Sequence, residues 1–231
     1  MLDERTRHAR ALFDGIGPAY GRPADLLSFG QYGRWRRALV RSLGLSSRDE
    51  VLDVATGTGL IARDIRNMYG CRVIGADQSE GMLASARGVV PELTAADANH
   101  LPFADTRFDA VVFSYLLRYV ADPPATLAGL VRVLKPGGIF ASVEFGVPRA
   151  RLPRLGWRVH AQGVFPIATR AFGARWADVG TFLPRSIVEW IDAWPIERQA
   201  RAWQDAGIDD VQVKRMLFGT GVLMKGRKHG G

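Results

Sequence analysis

The sequence predicts an α/β fold: a doubly wound, mostly parallel sheet of seven strands with an antiparallel C-terminal hairpin and a helical lid. Three observations carry this. Short apolar, β-branched runs alternate with helical stretches of roughly 10–15 residues through the middle of the chain, the pattern of a parallel sheet wrapped by helices. The first three runs hold an aspartate at or near their C-terminal ends, Asp53, Asp77 and Asp97, and a glycine-rich turn follows the first. With 231 residues, 47% hydrophobic and 23% charged, the composition is that of a globular chain long enough to bury a core.

The elements follow in order. Leu12, Phe13 and Ile16 make one apolar patch on a first helix, and a second helical segment runs from about Pro23 through Trp35, Leu39, Val40 and Leu43 to Gly44. Val51 to Ala55 is a buried-strand run, followed by Thr56-Gly57-Thr58-Gly59 and a helix from Leu60 to Tyr69. Arg72 to Asp77 repeats the move, with a helix from about Ser79 to Arg87, and Leu93 to Asp97 is a weaker third strand. Phe108 to Ser114 is a fourth, Ala125 to Leu134 a helix ended by Lys135-Pro136-Gly137-Gly138, and Ile139 to Phe145 a fifth strand. Residues 146–183 are rich in Pro, Gly, Arg and aromatics, including Trp157, Phe165, Phe172, Trp176 and Phe182, and should form short helices as a cover. Ser186 and Glu189 have the spacing of a capping box, and Pro195 opens a helix that Gly207 stops. Val211 to Lys214 and Phe218 to Lys225 read as the closing strands. The expected organisation is one domain, 1–231, with N-terminal helices (1–50), a ligand-binding core (51–145), a cover (146–208) and closing strands (209–228).

Composition removes several classes. No apolar run approaches the roughly 18 residues that span a bilayer, and Met1-Leu2-Asp3-Glu4 is acidic where a signal peptide is basic, so a soluble, cytoplasmic chain is expected. Cys71 is the sole cysteine, and His8, His100, His160 and His229 lack ligand spacing, so neither an internal disulfide nor a metal site is expected. The formal charge of +8 is unevenly spread: residues 51–145 carry eight basic and ten acidic side chains, against fourteen and seven in 146–231. Arg34, Arg36, Arg37 and Arg41 cluster on one helix, yet no nucleic-acid-binding module or Asn-Pro-Pro-Tyr-like string accompanies them, so nucleic acid is not the expected partner. The cations in the flanks leave peripheral contact with an anionic membrane surface, or an acidic ligand, as the functional readings of the charge.

The turn Gly57-Thr-Gly59-Leu-Ile-Ala62 follows a strand and opens a helix, so its free N–H groups face a ligand. By itself it also fits a dinucleotide fingerprint, and Asp77 is placed to bind ribose hydroxyls in either case. Three features favour S-adenosylmethionine. Asp53, within the strand, suits an ammonium group and would repel a pyrophosphate. Asp97-Ala98 supplies an acceptor for an adenine amino group. These loops carry no compensating Lys or Arg, which suits a sulfonium cation.

At this point the chain resembles a family. Asp97 to Asp109 and Arg132 to Gly138 look like signatures of class I methyltransferases, a Rossmann-like group. More narrowly, the chain is similar to the ubiquinone/menaquinone biosynthesis C-methyltransferases. The likeness is carried by Phe13 to Tyr20, Leu26 to Arg37, Ser114 to Val120, Glu144 to Pro148, Leu183 to Ile187, Trp194-Pro195 and Phe218 to Gly226. The resemblance implies that Ala55, Thr56, Gly57, Thr58 and Gly59 line the cofactor cleft with Gln78 and Met82. It assigns Asp77 to the ribose, Asp97 and Ala98 to the adenine edge, and Ser114 to the cleft floor. Arg118 matches the family's active-site arginine. The chain departs from the pattern at Ala55-Thr56 (one glycine short), at Tyr119 (an Asn in the family) and at Gly21-Arg22-Pro23-Ala24, beside the acceptor.

The implied reaction is in-line methyl transfer to a carbon of a prenylated quinol such as demethylmenaquinol, with S-adenosylhomocysteine as product. Arg118 would stabilise the phenolate, and the base would be a water, Tyr20, Tyr115, Tyr119 or His160. Tyr32, Trp35, Trp157 and Phe165 could line the acceptor pocket. Another small phenol or secondary metabolite as acceptor, an NAD-linked oxidoreductase and a nucleic-acid methyltransferase stay as alternatives. Oligomeric state is not legible.

Overall fold

The computed structural model describes Arg7, Ala11, Leu12 and residues 21–230. Leading helices α1 (Gly21–Leu27) and α2 (Gln31–Ser42) precede the first strand. The core then runs β1 (Glu50–Val54), α3 (Leu60–Tyr69), β2 (Arg72–Asp77), α4 (Glu80–Ala86), β3 (Glu92–Ala95), β4 (Phe108–Ser114), α5 (Pro123–Arg132) and β5 (Leu134–Phe145). A cover follows, α6 (Arg151–Arg158), a π-helical stretch Val159–Val164, α7 (Phe165–Thr169) and α8 (Ala174–Ala193). The chain closes with α9 (Ile196–Asp205), β6 (Ile208–Met216) and β7 (Gly221–Lys228).

The seven strands form one sheet in the order β3-β2-β1-β4-β5-β7-β6. The pairs β1–β2, β1–β4, β2–β3 and β4–β5 are parallel, and β7 runs antiparallel to both β5 and β6. The chain winds outward from β1 in one direction and from β4 in the other, so the crevice beyond the carboxyl ends of β1 and β4 is the switch point where such sheets take ligands. Alternation along the strands builds a core on each face. Leu52, Val54, Val111 and Phe113 pack with Trp203 and Leu127 on one side, while Val51, Ala110 and Val112 pack with Leu39, Ile61 and Ile65 on the other. A smaller cluster, Leu27, Met82, Trp176 and Val179, with Leu12 against it, sits under the cover.

Several expectations are corrected. The segment Pro23 to Gly44 is two helices: Phe29 and Gly30 both take positive φ (51° and 72°) and the Gly30 amide donates to the Asp25 carbonyl, ending α1. The Asp25 carboxylate and the Ser28 hydroxyl then accept from the Gly33 and Tyr32 amides (2.8 and 3.0 Å) and start α2. Ser186 does not cap a helix but lies within α8, donating to the Leu183 carbonyl (2.9 Å), while Glu189 pairs with Arg185 instead of reaching back (2.7 Å). α8 runs through Pro184 because burial of Pro184 and Ile187 holds the helix across the lost bond. A Cβ on Gly180 would collide with the Thr169 hydroxyl, so glycine there lets α7 and α8 approach closely. Lys135-Pro136-Gly137-Gly138 does not precede the fifth strand but forms an irregularity inside it, with Leu134 already paired to Phe108. Phe218, expected in a strand, sits in the β6–β7 turn at φ 56°. The expectations for Phe13, Ile16 and Tyr20 lie outside the described residues.

Candidate active site

At the switch point lies a cavity of about 520 Å³. Its inner half is built from the ends of β1, β2 and β3. After Val54 the chain turns sharply at Ala55 (φ 54°), Gly57 (φ 56°) and Gly59 (φ 77°) before α3 begins. The turn is tied to the end of β2 twice: the Thr56 amide donates to the Ala76 carbonyl (3.0 Å) and the Gly57 amide to Asp77 Oδ2 (2.8 Å). The other Asp77 oxygen accepts from the Ser79 amide (2.9 Å), so one carboxylate fixes two loops. Glycine is required at 59, where φ is positive and a Cβ would stand 2.5 Å from Val90 Cγ2.

Asp97, beyond β3, accepts on Oδ1 from the Asn99 amide and side chain (2.9 and 2.8 Å), and Thr126 holds Asn99 in turn (2.5 Å). Ala55, Thr56, Gly57, Thr58, Asp77, Gln78, Met82, Asp97, Ala98 and Ser114 all line the cavity. Two residues expected beside them, Asp53 and Gly59, do not. Asp53 is fully buried behind the turn, where Oδ2 accepts from the Thr56 hydroxyl (2.7 Å) and the Ala62 amide (3.2 Å). Its Oδ1 has no partner among the described residues, and burial, reinforced by the charge of Asp77, pushes the group up to about 7.

The outer half is aromatic. Tyr115, at φ 54°, stacks on Phe145 (4.4 Å between centroids) and faces Tyr32 (6.1 Å), while Trp35 meets Phe145 edge-on. Trp157, His160, Phe165, Trp176, Leu183 and Ile187 reach the cavity from the cover. The expected pocket residues Tyr32, Trp35, Trp157 and Phe165 are thus brought together. Arg118 is buried on the cavity wall. Its Nη1 lies 3.5 Å from Glu144 Oε2, Nη2 donates to the Tyr119 hydroxyl (2.8 Å), and the guanidinium sits 4.5 Å over the Tyr119 ring. Glu144 entered the sequence reading only within the stretch Glu144 to Pro148, with no role assigned; the signal was a lone carboxylate at the end of the apolar run Ile139 to Phe145. Its burial pushes it up to about 7 against the pull of Arg118. Burial likewise raises Tyr119, and takes Tyr32 up to about 12. His160 is pushed below its ordinary value by burial. Its Nε2 lies 3.1 Å from the Leu27 carbonyl, which can only accept, so that nitrogen carries the proton and Nδ1 the lone pair.

Among the described residues Arg118 is the one Lys or Arg on the cavity wall, and it already has Glu144 beside it. The inner half, with Asp77 and Asp97 on its wall, is therefore suited to a cationic ligand with ribose-like hydroxyls. This sheet order with a glycine turn after β1 and aspartates after β2 and β3 defines a class I methyltransferase fold. A solved S-adenosylmethionine-dependent methyltransferase of Thermotoga maritima, described as a possible histamine N-methyltransferase, superposes with a TM-score of 0.63, covering 94% of this chain and 99% of that one at 19% identity. The profile of the ubiE/COQ5 methyltransferase family matches residues 1–228, and the chain belongs to that family. A demethylmenaquinone methyltransferase of Renibacterium salmoninarum is 36% identical over 99% of this chain and 95% of its own length. One of Clavibacter sepedonicus is 34% identical over 100% and 94%. The chain is a methyltransferase.

Proposed function

We propose that this methyltransferase C-methylates a prenylated quinol of the demethylmenaquinol type with S-adenosylmethionine as donor. The observation that carries the reading is one cavity with two chemistries: an inner half whose wall bears carboxylates, and an aromatic outer half with Arg118, paired with Glu144, on its wall. The acceptor class comes from the relatives, whose names specify demethylmenaquinone. In this reading residues 51–145 carry the donor site and 146–208 the acceptor cover of a single domain.

Asp77 would hold the ribose hydroxyls, Asp97 and Ala98 the adenine edge, and Gly57, Thr58, Gln78, Met82 and Ser114 the walls around them. Asp53 acts from behind, its carboxylate fixing Thr56 and the first turn of α3. The donor supplies an electrophilic methyl group on a sulfonium. The chain's own task is to hold an acceptor ring in line with it, exclude water and manage the phenolic proton. Stacking against Tyr115 and Tyr32 orients the ring. Arg118 would stabilise the phenolate from which the ring carbon attacks the methyl group, the new C–C bond replacing the S–C bond; the ring proton would then leave to a water while the oxygen regains its proton from His160, restoring the quinol. His160, neutral at pH 7 with its lone pair on Nδ1, takes the phenolic proton.

The test is labelled-methyl transfer to demethylmenaquinol and to a panel of simple phenols, with calorimetry against S-adenosylhomocysteine and NAD. Ring-methylated menaquinol and binding of S-adenosylhomocysteine alone are expected, and faster conversion of a simple phenol would overturn the acceptor. One observation favours that second reading: Tyr119, where the family pattern has Asn, bonds Arg118 and stacks on Phe182 (6.2 Å) at the acceptor end. Replacing His160 by Gln should lower turnover at unchanged S-adenosylhomocysteine affinity; unchanged turnover removes the base.

A further inference from the structure

The cover helix α6 presents apolar side chains on two opposite sides. Trp157 points into the cavity, whereas Leu152, Leu155 and Val159, spaced i, i+3, i+7, form a stripe 81%, 59% and 59% exposed. α6 buries none of its own residues, which is unusual for a helix with this much apolar surface. The stripe continues around the cavity mouth. His160, next to Val159, contacts Phe29 (4.9 Å between centroids), which is 73% exposed and lines the mouth with Leu217. Phe218, 76% exposed, stands beside Leu217 in the β6–β7 turn, whose Gly219 lies against Val147 and Pro148 just before α6.

Charge accompanies the stripe. Residues 146–177 hold six arginines and no carboxylate. On a helical wheel Arg151, Arg154 and Arg158 lie together along one flank of the Leu152–Leu155–Val159 face. Arg149 is paired with Glu197, but Arg151, Arg158, Arg170 and Arg175 have no carboxylate partner among the described residues. Aliphatic side chains bordered by arginines with long apolar stems match the boundary between lipid tails and anionic headgroups. A second copy of the chain would set these same arginines against each other.

We infer that the outer face of α6, with Phe29 and Phe218, docks on an anionic phospholipid surface and so sets the cavity mouth against the bilayer. This rests on the reading of the acceptor as a membrane-dissolved quinol: docking would let a prenylated ring pass from lipid into the aromatic half of the cavity without crossing water. The helix would lie in the interface, not across it; no helix among the described residues is long and apolar enough to cross a membrane.

The test compares the wild type with Leu152→Gln/Leu155→Gln/Val159→Gln, three exposed positions off the cavity wall changed to a good helix former. The first readout is co-sedimentation with phosphatidylcholine vesicles containing 30% phosphatidylglycerol. The wild type should bind these, weaken severalfold in 0.5 M salt, and bind pure phosphatidylcholine poorly; the variant should lose about tenfold or more in partitioning. The second readout is methylation of a tailless, water-soluble quinol, which should be equal for both proteins, beside a long-tailed quinol in vesicles, where the variant should be slower. A wild type that stays in the supernatant, or a variant that sediments equally, overturns the docking face. Failure of both proteins on every quinol, with sedimentation as expected, overturns the acceptor reading and leaves the surface standing.

Discussion

Replacing Glu144 by Gln tests the electrostatics of the acceptor half by sign as well as size. Arg118 and Glu144 have side chains only 2% and 5% exposed, 3.5 Å apart. Removing one partner of a buried ion pair ordinarily costs about 3–5 kcal/mol, because the other charge is left unpaired. Here burial outweighs the attraction of Arg118 and lifts the Glu144 carboxyl from the ordinary 4.5 to about 7. The folded chain therefore keeps this proton over a range in which the unfolded chain has lost it. With the folded state binding more protons, stability falls as pH rises from about 4.5 to about 7 and is flat above. A gap of about 2.5 pH units is worth about 3 kcal/mol. Gln cannot titrate, so the variant should match the wild type near pH 5 and exceed it by up to about 3 kcal/mol at pH 8. Urea unfolding followed by tryptophan fluorescence at pH 5, 6, 7 and 8 reads this directly, and the titration of Asp53 is common to both proteins. A variant less stable than the wild type at pH 8, or two parallel pH curves, would refute the argument and show that the attraction exceeds the desolvation.

Other consequences follow from the same geometry. Asp77→Asn trades an acceptor oxygen for an NH2 that confronts a backbone amide, so the dissociation constant for S-adenosylhomocysteine should rise about 30-fold or more by calorimetry. Gly59→Ala combines a positive φ with a Cβ 2.5 Å from Val90 and should cost about 2–4 kcal/mol in urea unfolding, part of which Val90→Ala restores. Arg118→Gln should lower kcat about 100-fold or more while S-adenosylhomocysteine affinity stays within threefold, as measured by labelled-methyl transfer and calorimetry.

The parallel core was legible because its signals are local. A short apolar, β-branched run, a glycine-rich turn and an aspartate at a strand end need no distant partner to be read. Register then does the rest: Asp53 pairs with Gly75, and Asp77 with Ala95, so aligned strands bring their ends to one place. Asp77, Asp97 and the Ala55–Thr58 turn accordingly meet in one cavity. Asp53 shows the limit of this reasoning. Sitting two residues before the turn, it stops one layer behind the cavity wall, a difference of depth that sequence distance does not encode.

The acceptor half was harder to read because its residues come from segments far apart in the chain. Arg118 and Glu144 are 26 positions apart, and His160 meets the Leu27 carbonyl across 133. The false helix start at Ser186 has the same origin. Ser186 and Glu189 have the right spacing, but Pro184 and Ile187 are buried under the cover, and that tertiary burial carries α8 through the point where local chemistry suggested a break. Composition did mark this half in one respect. Most of the excess that separates residues 146–231 from the core falls in residues 146–177, and three of its arginines, Arg151, Arg154 and Arg158, flank exposed apolar side chains with nothing described packed on them. A solvated surface would spread such cations and pair them with carboxylates. Their segregation beside an exposed leucine face is the observation on which the proposed docking to an anionic bilayer stands, and vesicle co-sedimentation decides it.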